Sequence, residues 1–170
     1  MESKVAQELV TQVLYRMDES SRMVKIALRN VTEEEIWKRP NGASNSIGNL
    51  LLHLCGNMHQ YAVSSLGKKE DIRERDKEFA IKGGMGKAEL LKMLMDTVES
   101  AQEVISMIPV EEMMRNRKVQ GFQLSGIGIM IHVTEHYSYH TGQIAFWAKQ
   151  LRDQDLGFYS GIELGTKNEL

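Results

Sequence analysis

One run near the C-terminal end, Ile129 to Leu151, constrains the fold more than any other: IMIHVTEHYSYHTGQIAFWAKQL. It holds three of the chain's five histidines, His132, His136 and His140, each four residues from the next. On a helix, positions i and i+4 share a face, about 5–6 Å apart at Cβ. The three imidazoles therefore make one ridge, with Ile129, Val133, Gln143, Ile144, Trp147 and Leu151 on or beside it. Such a stripe must be buried against other elements, and a buried imidazole costs free energy unless it is bonded. Three in phase are either core histidines satisfied by neighbours or part of a metal site. Zinc–nitrogen bonds of roughly 2.0–2.1 Å let two imidazoles one turn apart converge on an ion. His132 and His140, about 12 Å apart by helical rise, cannot both bind it. Spacing alone leaves two pairs open: His132 with His136, or His136 with His140.

The other helices follow from the same periodicity. Val5, Leu9, Val13, Met17, Val24 and Leu28 predict a first helix from about Ser3, its candidate N-cap, to Arg29. Thr32 and Glu35 form a capping-box pattern before a short turn that Pro40 ends, with Trp37 packing back on the bundle. Ser46 is a candidate N-cap for a second helix running to about Ser65. Asn49, His53, Asn57 and Gln60 make a polar stripe along its flank, so His53 borders the core. Cys55 points away and reads as packing, and His59 is too far round the helix to share a site with His53. The charged segment from Gly67 to Phe79 reads as a solvated connection, with a helical turn allowed. A third helix spans about Lys87 to Met107, and Pro109 closes it. Between Val110 and Leu124 the pattern fits one more turn and then an extended strip or small hairpin with Gly121 at its turn. Ser125 is a candidate N-cap for the fourth helix. The tail from about 153 to 170 is expected to be irregular, pinned by Phe158 and Tyr159. The expectation is one all-α domain over residues 1–170, a four-helix bundle with long connections after helices two and three.

Composition narrows the function. The 170 residues carry 21 basic and 23 acidic side chains, a net charge of −2, which offers nucleic acid no footprint. No run approaches the length of a membrane span, and the N-terminal residues show no secretory pattern. A single cysteine fits a reducing compartment, so the expected location is cytoplasmic. In a four-helix bundle, facing helices deliver side chains to a shared interior. Here helix two offers His53 and helix four offers a histidine pair. Three nitrogen ligands plus an open position is the layout of a catalytic zinc site, and imidazole also suits nickel, copper and iron. Glu135 lies about 100° off the ridge, so this is not the metalloprotease His-Glu-x-x-His arrangement.

His136-Tyr-Ser-Tyr-His140-Thr-Gly142-Gln143 resembles the His-x-x-x-His-x-Gly-Gln motif of the DinB superfamily. Asn45-Ser46-Ile47-Gly48-Asn49-Leu-Leu-Leu-His53 is similar to the start of that family's second helix. The resemblance covers nearly the whole chain in element order and length. It implies a DinB-like bundle binding zinc or nickel through His53, His136 and His140, which would leave His132 as a group behind the ligands. It also implies a metal-dependent enzyme acting on a small-molecule substrate, since members include thiol-dependent transferases. A bound metal lowers the pKa of a coordinated thiol or water, so a low-molecular-weight thiol co-substrate is expected, with a hydrolase or a purely structural metal as alternatives. Asn57, Gln60, Tyr139 and Gln143 are candidates to orient substrate, and Gly142 to allow close helix approach. A homodimer is expected from the resemblance and from apolar side chains spread around helix two, Leu52 among them.

Overall fold

A computed structural model of the chain describes residues 2–168, with side chains from Lys4 onward. Helix α1 spans Glu2–Asn30, so Ser3 lies inside it rather than capping it, and the Ser3 side chain lies outside the described residues. A 3-10 turn at Glu35–Trp37 follows the reciprocal bonds of Thr32 and Glu35: Thr32 N–H donates to Glu35 Oε2 (2.8 Å), and Glu35 N–H to Thr32 Oγ1 (3.2 Å). Helix α2, Ile47–Met58, begins at a capping box between Ser46 and Asn49, which satisfies two of the amides a helix start leaves open. It does not run on as α-helix to Ser65 as its periodicity predicts. From His59 to Leu66 it is a π-helix.

The charged connection folds into a short helix α3, Arg75–Ala80, which packs on α2. Helix α4, Lys87–Ser106, buries Leu90, Leu94, Val98, Ala101 and Ile105 at helical spacing. A five-residue helix α5, Val110–Met114, leads into a hairpin of β1, Asn116–Val119, and β2, Phe122–Ser125. Val119 pairs with Phe122 across a two-residue turn, Gln120 and Gly121, at φ 51° and 90°. Positive φ at both central residues is the type I′ geometry that matches strand twist, which is why glycine stands there. Helix α6, Gly126–Arg152, starts at Ser125, whose Oγ accepts from Gly128 N–H (3.1 Å).

The four long helices close a ring. α1 packs on α6 and α4, and α2 packs on α4 and α6, which leaves α1 opposite α2 and α4 opposite α6. The two long connections are built covers: α3 lies on α2, while β1 and β2 lie on the π-helical stretch and on α6. The core runs along the ring axis through Met17, Val24, Ile47, Leu51, Leu54, Met58, Leu94, Ile105, Ile129, Val133, Tyr137 and Ile144. Val5, placed on the inward stripe by its spacing, is 69% exposed, at the rim of a groove that it lines with Val110, Met114 and Ile127. Leu52 is partly buried against the core. Trp37 packs on the core as expected, its indole N–H donating to Met85 O (3.0 Å). The tail is irregular and pinned: Leu156 is buried, Arg22 Nη1 donates to Phe158 O (2.8 Å), and the Arg22 guanidinium lies 5.8 Å from the Tyr159 ring centre. Among the described residues no helix is long and apolar enough to cross a membrane.

Candidate metal centre

His53 sits in the middle of α2, and His136 and His140 sit one turn apart on α6. The packing of α2 on α6 turns all three rings toward one point. His53 Nε2 is 3.1 Å from His136 Nε2, and His140 Nε2 is 3.2 Å from the same atom. One nitrogen from each ring falls within 4.8 Å of the others, an arrangement that could hold a metal ion. His53 and His140 are buried and His136 half-buried.

The outer nitrogens explain the orientation. His53 Nδ1–H donates to Glu78 Oε2 (2.8 Å), and His140 Nδ1–H donates to Gln143 Oε1 (2.7 Å). Each bond puts the ring proton on the outside, so the Nε2 lone pair points inward. His136 stands between two such lone pairs. A proton on its Nε2 can serve one neighbour only, and a proton on its Nδ1 is buried without a partner. With the proton on Nδ1, the His136 lone pair faces two others across about 3 Å; with it on Nε2, one neighbour's lone pair is left without a donor, and a cation among the three removes either conflict. Tetrahedral bonds of roughly 2.0–2.1 Å would put ligand nitrogens about 3.3–3.4 Å apart, close to the spacing found, so the residues fit a small divalent ion. Burial, and then the neighbouring His140, His53 and His132, push His136 down to about 3, so it is neutral at physiological pH. Burial also lowers His140 and His132.

Behind His53 stands a carboxylate–guanidinium pair. Arg73 Nε donates to Glu78 Oε1 (2.7 Å), and Arg73 Nη2 to Glu78 Oε2 (3.0 Å). Burial pushes the Glu78 carboxyl up, but the bonds from His53 and Arg73 together outweigh it and hold it below the usual range. Glu78 is therefore an ionised acceptor near neutral pH. Arg73 Nη1 reaches Gln60 Oε1 (2.9 Å), whose amide in turn donates to Asp71 (2.8 Å). Asn49 fastens the same segment to α2, its amide donating to Glu78 O (2.9 Å) and Ile81 O (2.7 Å). The pair reaches His53 only because position 56 is glycine. A Cβ there would lie 1.9 Å from Glu78 Oε1.

The remaining candidates divide. His132 stays out of the trio, stacked on Tyr61 with ring centres 4.1 Å apart and bonded through Nε2 to the Asn57 amide (3.2 Å). Asn57 and His132 line a cavity of about 420 Å³ that opens onto His53 and His136. Gln60 lies behind Arg73, outside that cavity. Tyr139 touches His140 edge-on but is 62% exposed, in a separate groove beside Gln143 and Trp147. Gly142 does not mediate a close approach, since nothing lies within 4 Å of where its Cβ would be. The reading of Gly67 to Phe79 as a solvated face fails at two residues: the Arg73 side chain is 2% exposed and that of Glu78 is 9%. Those two were missed because a mixed-charge run usually stays in water. The available signal was Gly56, a helix-interior glycine one turn past His53, which marks close approach by another group. Cys55 is buried, and burial raises its thiol to about 12, so it is a packing residue and no nucleophile.

Comparison with known proteins places this architecture. Residues 4–162 match the family described as protein of unknown function, DUF1572. No curated protein matches the sequence. Among solved structures, the chain is similar to a DinB-like protein, YjoA, from Bacillus subtilis, with a TM-score of 0.63 at 14% identity over 82% of this chain and 91% of that one. It is also similar to a conserved protein from Enterococcus faecalis, with a TM-score of 0.64 at 14% identity over 89% of this chain and 98% of that one. At such identity these likenesses speak to fold, and the family match to kinship: the chain belongs to the DUF1572 family, and its helical fold is DinB-like.

Proposed function

We propose that this protein is a metal-dependent enzyme acting on a small molecule, with one divalent ion, zinc or nickel, held by His53, His136 and His140. The observation that carries the reading is the convergence of three Nε2 atoms, two of them, on His53 and His140, turned inward by Glu78 and Gln143. When bound, the ion supplies Lewis-acid chemistry, lowering the pKa of a thiol or water so that a nucleophile exists near neutral pH. The chain's own residues do the rest. His53 and His140 present fixed lone pairs. Asn57 and His132 line the way in. A low-molecular-weight thiol is the co-substrate we favour, with transfer of that thiol to an electrophile as the reaction.

Two features favour catalysis over a purely structural ion. Among the described residues no further His, Cys, Asp or Glu joins the trio, and closed structural sites use four ligands. The cavity also reaches two of the three rings. The test is metal analysis of protein purified without a metal-affinity step. Wild type and His132→Ala are expected to carry about one ion per chain, and His53→Ala and His140→Ala far less. Metal retained in His140→Ala and lost in His132→Ala would move the site one turn along α6. A screen of the loaded protein with electrophiles and small thiols then tests the reaction. Turnover that survives full metal removal would end the metal-dependent reading.

A further inference from the structure

The cavity beside the histidines has a charge pattern that the metal reading does not use. Arg73 and Arg75 line it, and neither aspartate nor glutamate does. Arg73 is occupied, since its guanidinium donates to both oxygens of Glu78 and to Gln60 Oε1. Arg75 is not. It has no carboxylate partner among the described residues, and its guanidinium is held 5.0 Å from the Phe79 ring centre. A stacked guanidinium keeps its in-plane N–H fork free for a planar anion.

A second group in the same cavity lacks a partner. Asn57 is 3% exposed; its Nδ2 meets His132 Nε2, and its Oδ1 is buried with no hydrogen bond. A buried amide oxygen left unpaired costs about 1–3 kcal/mol, so native structures rarely keep one without a use. Tyr61 from the π-helical stretch and Phe122 from the hairpin line the same cavity, and Tyr61 O–H donates to Gln120 Oε1 (2.9 Å) at the hairpin turn.

We propose that this cavity binds a small carboxylate-bearing molecule, its carboxylate on Arg75 and a neighbouring N–H or O–H group on Asn57 Oδ1. The inference rests on the metal reading only for what the anchored molecule then undergoes, because Arg75 and Asn57 lie outside the histidine trio. It narrows the substrate class to acids with a hydrogen-bond donor near the carboxylate, such as N-acylamino acids or small peptides. Neutral electrophiles and simple amines fall outside it.

N-acetylglycine and its neutral counterpart N-acetylglycinamide are the probes, titrated calorimetrically into both metal-loaded and chelator-treated protein. The acid is expected to bind at least about tenfold more tightly than the amide in both preparations. Arg75→Ala should erase that preference, and Arg75→Glu should reverse it. Because Arg75 is exposed, both variants should fold normally, which circular dichroism checks. Equal binding of acid and amide by wild type, no binding of either, or an acid preference that survives in Arg75→Glu would each overturn the proposal. Failure of the metal reading looks different: metal analysis would show no ion while the acid preference persists.

Discussion

Glu78 shows how much one side chain can decide at a distance from the reacting atoms. It touches no Nε2, yet it selects the His53 tautomer and holds the ring at the angle the trio needs. Removing it leaves Nδ1–H facing Arg73, a donor facing a donor, since Arg73 Nη2 lies 3.1 Å from Nδ1. Glu78→Ala is therefore expected to weaken metal binding by about 10–100-fold. Glu78→Gln, which keeps an acceptor but loses the charge, should fall between it and wild type. Competition against a chromophoric chelator measures both. Unchanged affinity in Glu78→Ala would mean that α2 alone orients His53.

At the scale of elements, α2 carries the site because two neighbours were fitted to it. The π-helical stretch His59–Leu66 interrupts the regular ladder just past Asn57, and π segments often mark functional sites. It buries Tyr61 to 1% exposure, against His132 and the hairpin turn. On the other side Gly56 admits the α3 segment. Gly56→Ala sets two effects against each other. Alanine in a helix interior gains about 0.8–1.0 kcal/mol over glycine. The same methyl would stand inside the Glu78 carboxylate, and disrupting a buried ion pair costs about 3–5 kcal/mol when one partner is left uncompensated. The second effect is larger. Gly56→Ala should destabilise the metal-free protein by about 1–3 kcal/mol in urea, with a matching loss of metal affinity. A stabilised variant would show that the α3 segment can shift away without cost.

For the whole molecule the question is how site and fold depend on each other. The core of the helix ring is apolar and continuous, so the bundle should stand without metal. An ion that binds only the native state adds about RT ln(1 + [L]/Kd), roughly 2.7 kcal/mol at a hundredfold excess. Protons compete with it for the same lone pairs. A chelator is accordingly expected to lower the melting temperature at pH 7 and to do much less near pH 5. The metal-free protein has a pH dependence of its own. His136 is held at about 3 when folded and titrates near 6.5 when unfolded, so the unfolded chain binds more protons between those values. Stability is therefore full above about 6.5 and declines as pH falls towards about 3. Calorimetric scans from pH 4 to 8, with and without chelator, check both slopes. Outright unfolding on chelation at pH 7 would make the ion structural.

What the sequence determined by itself was local or periodic. The helical stripes, the caps at Thr32, Ser46 and Ser125, the turn glycine at 121 and the histidine ridge are written in neighbouring residues, whose physics needs no distant partner. Spacing named two histidine pairs on α6 and could not choose between them. Only the packing of α2 on α6 decided that His53 meets His136 and His140 and leaves His132 to Tyr61. The burial of Arg73 and Glu78 was likewise a tertiary decision. Their charges read as solvent-facing in a linear run, and they leave water only because Gly56, Asn49 and His53 together offer a notch and the bonds to fill it. A charged pair goes inside when its partners are already in place, and those partners, Asn49, His53 and Gly56, belong to a different helix, α2.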